Sequence, residues 1–567
     1  MNSFAAAAPR PLDASAVGQA VEALRRVAPV LFLAVGVVGL RLPSFSFDVL
    51  NVDESVYHLM GQAWLHGTLP HLGIVDNKPL GLYAIHALAG AIFADPIAGA
   101  RLLGACATFA AAWLLMRIAE TFLGLSRGAG VVCGLLFATY AILLGGDASQ
   151  GPVFYAPLLA GGAFLIMGEI AALHRNEAPS IAKLAMAGLL LGLSLQIKYV
   201  TVFECAAFGL FYLHAAWRAD ATTSAEFRAR IIAGAGVLIA GGLLPTAAAI
   251  AMYVAVGEGS TFIFYTFMSN AARAMTQDAF AVVACRIGLI LFALSPLMAP
   301  SVEFLRTPST LTRPRWIAKF LAAWFVAAMA GGVAQLQFAD HYFYEAVIPL
   351  AVMAAAAIFA PGAPRRARIT ACALLGMAVT GYVGVRSAAV DHNGGRNVPS
   401  VIAHDIVGAG AGSMYVFNSH TLLHLLTGIP LPTKYPLADH LLRDINAEMF
   451  GLDARAEMAR VLDGDQDVVV VDRPINPTVS ADRQKMLETK LAADYCLWRQ
   501  YPTGAHHVEV YLLNEFPGAA HCAPPEKVTA RRAPFGVRTF PPTRKPVAPV
   551  MIARSPYESE VVAVLQH

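Results

Sequence analysis

Two short motifs carry most of the chemical potential of this chain. Asp53-Glu54 follows the first apolar stretch, and Asp76-Asn77-Lys78-Pro79 comes soon after. A carboxylate can take a proton from a hydroxyl, and a lysine can hold the charge of a phosphate. In Asn51-Val-Asp-Glu-Ser-Val-Tyr-His, helical spacing aligns Asp53, Tyr57 and Trp64 along one face, with Glu54 and His58 on the adjacent one. Acidic residues also favour the first turn of a helix, where they cap amides, and that would explain either carboxylate alone. The pair followed by Tyr and His favours a site. Asp76 to Pro79 opens a second short helix, with Pro79 suited to its first position and Tyr83 one turn further on. Lys78 is the only lysine between residues 42 and 96. Snorkelling to an interface competes there with phosphate binding, and phosphate binding is favoured for a sole lysine beside a proposed anionic-lipid site.

Other candidates lie far away in sequence. Asp147 stands in Gly145-Gly146-Asp147-Ala148-Ser149-Gln150-Gly151-Pro152, where a turn or cap role is as good a reading as a functional one. Lys198 offers an interface anchor or a second phosphate contact. His341-Tyr342 opens another apolar helix, where capping by Asp340 and an aromatic belt are the plain alternatives. Glu54, Asp147 and His341, with His58, are candidate ligands for a divalent metal, but their spacing establishes no site.

These residues need a scaffold, and composition names it. The chain is 57% hydrophobic and 14% charged, with a mean hydropathy of +0.57. A soluble protein of 567 residues cannot bury so much apolar surface. Segments long enough for about 30 Å of hydrocarbon recur through the first 386 residues. We read eleven spans at 27–42, 97–117, 128–145, 152–172, 181–197, 199–217, 231–254, 283–300, 317–337, 343–360 and 367–386. The apolar segment 79–94 is short, and either spans or lies re-entrant at the surface.

Charge chooses between those options. With 79–94 non-spanning, one set of connections carries Arg25, Arg26, Arg117, Arg127, Arg175, Arg228, Arg315 and Arg365 among many others. The opposite set carries little beyond Lys78, Lys198 and Arg273. That bias predicts a cytoplasmic N-terminus on residues 1–26, an uncleaved first span, and an outward-facing loop 42–96 and C-terminus. The net charge of +3 is too thinly spread to suggest nucleic acid.

Residues 387–522 read differently. Val468-Val469-Val470-Val471 and His507 to Leu513 are expected strands, which predicts a small α/β domain on the outer face. Cys496 and Cys522 are its only cysteines and are expected to pair in an oxidising compartment. Cys106, Cys133, Cys205, Cys285 and Cys372 fall in apolar spans. Residues 523–567 form a Pro- and Arg-rich tail with little periodicity, expected to be extended or disordered.

The order of motifs resembles that of the GT-C glycosyltransferases. The Asp53-Glu54 pair precedes Lys78-Pro79-Leu80-Gly81-Leu82-Tyr83, then come Arg101-Leu102, Gly145 to Asp147, and His341-Tyr342-Phe343 running into Val347-Ile348-Pro349. Residues 28–386 are most similar to bacterial members related to protein O-mannosyltransferases and lipid A aminoarabinose transferases. Leu80 departs from the pattern, since a second proline often stands there.

The resemblance implies a mainly α, polytopic GT-C-like domain over residues 27–386. It also implies transfer of one sugar, with inversion, from a polyprenyl-phosphate donor to an envelope glycan, lipid or protein on the periplasmic face of an inner membrane. In that scheme Asp53 is the base, Glu54 and Asp147 position acceptor or metal, and Lys78 and Lys198 receive the donor phosphate. Tyr57, His58, Asp76, Tyr83, His341 and Tyr342 bind substrate, and a divalent metal is an open cofactor. A flippase for lipid-linked sugars is the alternative and would need polar residues deep in the spans, which look nearly clean. A non-catalytic scaffold would leave the clustered Asp53, Glu54, Asp76 and Lys78 unexplained.

Overall fold

A computed structural model describes residues 14–220, 224–272, 280–306, 314–359, 366–392, 395–504, 506–522 and 526–527. Among these, nine helices are long and apolar enough to cross a membrane. They are Val27–Ser46, Pro96–Leu123, Gly151–His174, Tyr199–Ala219, Ala225–Ala255, Phe280–Arg306, Arg315–Ala334, Asp340–Ile358 and Ile369–Val390. In hydrocarbon every backbone amide must be satisfied internally, so such segments become helices. Arg127–Leu143 and Ile181–Leu195 are apolar but shorter, at 17 and 15 residues. Each of the eleven expected spans falls on one of these eleven helices. The chain is an integral membrane protein, mainly α with a small α/β domain.

Asp340–Ile358 is the most enclosed span, 89% buried. Its run of Ala354, Ala355 and Ala356 lets neighbouring backbones approach closely, as small residues do between membrane helices. Ala225–Ala255 and Phe280–Arg306 are only 17% buried and present Leu, Ile and Phe outward, as lipid-facing helices do.

Two helices outside this set carry the first motifs. Val52–Leu65 holds Asp53 and Glu54, and Leu80–Ile92 follows Lys78. The second has 13 residues, about 20 Å of helix, which is short of a crossing. Pro79 caps it, one residue earlier than expected. The next turn explains Gly81: its N–H donates to the Gln196 carbonyl at 2.8 Å, and a Cβ would stand 2.6 Å from that oxygen.

The C-terminal domain is built on a five-stranded sheet of order β1-β2-β4-β3-β5. The strands are β1 Met414–Val416, β2 Val468–Arg473, β3 Tyr495–Thr503, β4 His506–Leu513 and β5 Glu526–Lys527. β1 lies parallel to β2, β4 runs antiparallel to β2 and β3, and β5 is parallel to β3. Strand side chains alternate between faces, and both faces of β2 are covered. Val468 and Val470 join Ile402 and Ile406 on one side, while Val469 and Val471 join Met458 and Leu487 on the other. A strand buried on both faces needs four valines in a row. Cys496 and Cys522 form a disulfide with Cα atoms 5.9 Å apart. Apart from the two residues of β5, the tail from Ala523 lies outside the described residues.

Candidate active site

Asn51 caps Val52–Leu65 by accepting the Asp53 N–H at 2.9 Å, which places Asp53 half-buried in the first turn. One turn on, the Tyr57 hydroxyl lies 3.4 Å from the Asp53 carboxylate. Tyr57 also packs near Tyr83, with ring centroids 6.2 Å apart. The expected face carrying Asp53 and Tyr57 is therefore present.

Glu54, one residue later, turns inward. Its carboxylate receives Arg101 Nε at 3.3 Å and Nη2 at 3.0 Å, and the Ser149 N–H at 3.0 Å. Burial pushes this carboxyl up, but Arg101 and the Ser149 amide outweigh it and hold the pKa at about 2. Arg101 also donates to the carbonyls of Ser44, Phe47 and Asp48. His58 is buried beside His86, with their Nδ1 atoms 3.3 Å apart. His86 Nε2 lies 3.1 Å from the Ser149 carbonyl. The Ser149 peptide is thus gripped on both sides.

Asp147 sits in the same loop, wholly buried. It accepts from Arg386 at 2.5 Å and from the Tyr382 hydroxyl at 3.1 Å. Arg41 reaches the neighbouring carbonyls of Gly146 and Asp147. Glu54 and Asp147 are each neutralised by an arginine from a membrane helix, and the loop between them is fixed from both ends.

The second motif forms a compact turn. Lys78 Nζ lies 3.2 Å from Asp76 Oδ1 and 2.7 Å from Asn77 Oδ1. The Tyr83 hydroxyl donates to Asp76 Oδ2 at 3.0 Å and accepts the Lys78 N–H at 3.1 Å. Burial raises the Asp76 carboxyl, but Lys78 and the Asn77 amide more than offset it and hold it below its ordinary value. Asn270 donates to the Asn77 carbonyl at 2.7 Å, which pins the turn from outside.

Lys198 and His341-Tyr342 make a third corner. Lys198 Nζ stands 4.1 Å from the centre of the Tyr342 ring, and His341 packs against that ring at 4.5 Å. His341 faces the charges of Asp53 and Lys198, and Tyr57 faces those of Asp53, Asp76 and Tyr342. The three corners therefore lie within electrostatic reach of one another. Glu54, Asp147 and His58 form the supporting layer. Among the described residues no three His, Cys, Asp or Glu side chains gather as metal ligands.

Several participants escaped the sequence reading. Arg41, Arg386, Tyr382 and His86 hold the site loops, and the only available signal was an arginine or histidine inside an apolar stretch. The spans are also less clean than they look: Glu345 accepts from the Tyr155 hydroxyl, and Glu204 lies within electrostatic reach of both, each carboxylate buried.

No family model matches the sequence, and no curated protein is significantly similar to it. The fold is nevertheless that of the GT-C glycosyltransferases, as the motif order implied. The crystal structure of ArnT from Cupriavidus metallidurans in the apo state is similar at a TM-score of 0.57 and 14% identity, over 90% of this chain and 100% of that one. The S. cerevisiae protein O-mannosyltransferase Pmt1-Pmt2 complex bound to the sugar donor matches at a TM-score of 0.35 and 16% identity, over 42% of this chain and 34% of that one.

Proposed function

We propose that this protein is a membrane glycosyltransferase. It moves a single sugar from a polyprenyl-phosphate donor to a hydroxyl of an envelope glycan, lipid or protein on the periplasmic face of the inner membrane. The supporting observation is that Asp53 is half-buried beside the Tyr57 hydroxyl and free of the arginine clamps that hold Glu54 and Asp147, and lies within electrostatic reach of the corner that carries Lys198. Asp53 takes the proton of the acceptor hydroxyl, whose oxygen forms a new bond to the anomeric carbon. The bond from that carbon to the phosphate oxygen breaks on the opposite face, so the configuration inverts. The electron pair leaves with the phosphate, whose charge Lys78 and Lys198 take up. Glu54 and Asp147 hold the loops that set these distances, and Tyr57 orients Asp53. A divalent cation at the phosphate would do similar work, and transfer rates with and without EDTA measure its share. The lopsided arginine distribution supports a cytoplasmic N-terminus, which leaves the site and the disulfide outside.

The test is transfer of labelled sugar from polyprenyl-phosphate sugar by the purified protein in nanodiscs. Asp53→Asn keeps shape and removes the proton acceptor, so the rate falls by about 10²–10⁴-fold with donor binding and thermal stability unchanged. Wild-type rates in folded Asp53→Asn protein would refute the assignment.

A further inference from the structure

Between the two motif helices lies His71, 2% exposed, with neither ring nitrogen hydrogen-bonded to a described residue. Its backbone is left-handed, with φ at 68°, and is fixed there. The His71 N–H donates to the Ile74 carbonyl at 3.0 Å, and the Pro70 carbonyl accepts the Tyr253 hydroxyl at 2.6 Å. The imidazole stands edge-on to Tyr83, with centroids 5.7 Å apart, and lies within 15° of parallel to the Tyr265 ring at 6.0 Å. It faces the backbone of Asp76 and Lys78 without reaching hydrogen-bond geometry. Burial holds its pKa at about 4, so at pH 7 it is neutral and carries one N–H donor.

Both ring neighbours belong to the clamps on the Asp76–Lys78 turn. The Tyr83 hydroxyl bonds the Asp76 carboxylate and the Lys78 N–H. Tyr265 lies in the π-helical turn Phe264–Met268, which leads into Asn270, the donor to the Asn77 carbonyl. Such turns recur at functional sites, as do residues held in strained backbone conformations. Phenylalanine would fill this aromatic cage with no unbonded polar atom, and glycine would suit the left-handed backbone. Packing alone therefore does not account for a histidine here.

We propose that His71 is a positioning residue of the donor-phosphate turn, whose N–H takes over Asp76 when Lys78 turns from that carboxylate to the donor phosphate. The inference rests on the glycosyltransferase reading above. In this structure Lys78 Nζ is engaged by Asp76 at 3.2 Å and Asn77 at 2.7 Å. Moving it onto a phosphate takes the cation away from a buried carboxylate, which then needs another donor. The imidazole already packs against the ring of Tyr83, the residue that bonds Asp76, and its N–H is uncommitted. Being neutral, it fills the gap with no further charge to bury. His71 acts through Asp76 and touches neither donor nor acceptor.

The experiment uses full-length protein in nanodiscs and measures binding of polyprenyl phosphate, together with the half-saturating concentration of an envelope extract as acceptor source in the transfer assay. His71→Phe keeps the ring and removes the donor. It is expected to unfold at or above the wild-type temperature, to bind polyprenyl phosphate about tenfold more weakly, and to leave acceptor half-saturation unchanged. Tenfold is the scale of one hydrogen bond to a charged group. His71→Gly, which suits the backbone and also removes the donor, carries the same expectation and serves if the phenylalanine variant does not fold. In an Asp76→Asn background, where no carboxylate needs a second partner, the His71 substitution should have no further effect on binding. Wild-type binding of polyprenyl phosphate in either folded variant overturns the inference, as does a full tenfold loss in the Asp76→Asn background. Wild-type protein that binds no polyprenyl phosphate instead refutes the donor assignment, and the inference with it.

Discussion

The Glu54–Arg101 pair separates scaffolding from chemistry, and Glu54→Gln is the perturbation that does so. Glutamine keeps an oxygen for the Ser149 N–H but removes the carboxylate bonded to the buried Arg101 guanidinium, which also donates to the carbonyls of Ser44, Phe47 and Asp48. Two routes give the magnitude. A carboxyl moved from 4.5 to about 2 contributes about 3 kcal/mol to stability at neutral pH. Removing one partner of a buried ion pair costs about 3–5 kcal/mol, because the other charge is left uncompensated.

The pH dependence carries a definite sign. The folded-state pKa is depressed, so the contribution is complete above the unfolded value of 4.5 and is lost as pH falls toward 2. Thermal unfolding by intrinsic fluorescence should therefore show Glu54→Gln well below wild type at pH 7, with the gap narrowing as pH falls from about 5 toward 2. Arg101→Met alone should also destabilise strongly, and the double variant should recover part of the loss, since the partners couple. Transfer activity in Glu54→Gln should fall together with its stability, because the same pair holds the loop that positions the reacting groups. A Glu54→Gln protein as stable as wild type but unable to transfer sugar would refute this reasoning and place Glu54 on the substrate.

Two further outcomes test the remaining parts. Lys78→Ala should lower turnover at least about tenfold, or about 1.4 kcal/mol, and weaken donor use more than acceptor use, because its cation serves both phosphate binding and departure; unchanged donor kinetics would remove Lys78 from the site. A reporter active only outside the cytoplasm, fused after His567, should be active, whereas activity of a cytoplasmic reporter at that position would invert the proposed orientation.

What could be seen in the sequence follows the range over which each signal acts. Spans are legible because the bilayer imposes a length on a contiguous run, and β2 because burial on both faces demands consecutive valines. β3 is not legible: its residues are mostly half-buried, and a register shift between Leu497 and Arg499 breaks the alternation. The site divides in the same way. Asp53 with Tyr57, and Asp76 with Lys78 and Tyr83, meet across one or two helical turns, so local spacing reveals them. Arg101 lies 47 residues from Glu54, and Arg386 lies 239 from Asp147, so no local pattern could show that those carboxylates have arginine partners.

That difference bears on how the site works. Local motifs place the groups suited to act on substrate, while distant arginines spend their charge holding the Gly145–Gln150 loop against the Val52–Leu65 helix. An enzyme that must bring a lipid phosphate and a hydroxyl within bonding distance at a membrane surface needs both layers, since an error of about 1 Å in the supporting layer can cost about 10²-fold in rate. On the proposed mechanism, Asp53 and Lys78 are therefore only as effective as the buried pairs behind them. Substitutions at Arg101 or Arg386, which on this reading touch no substrate, should damage transfer as severely as substitutions at the lysines that do.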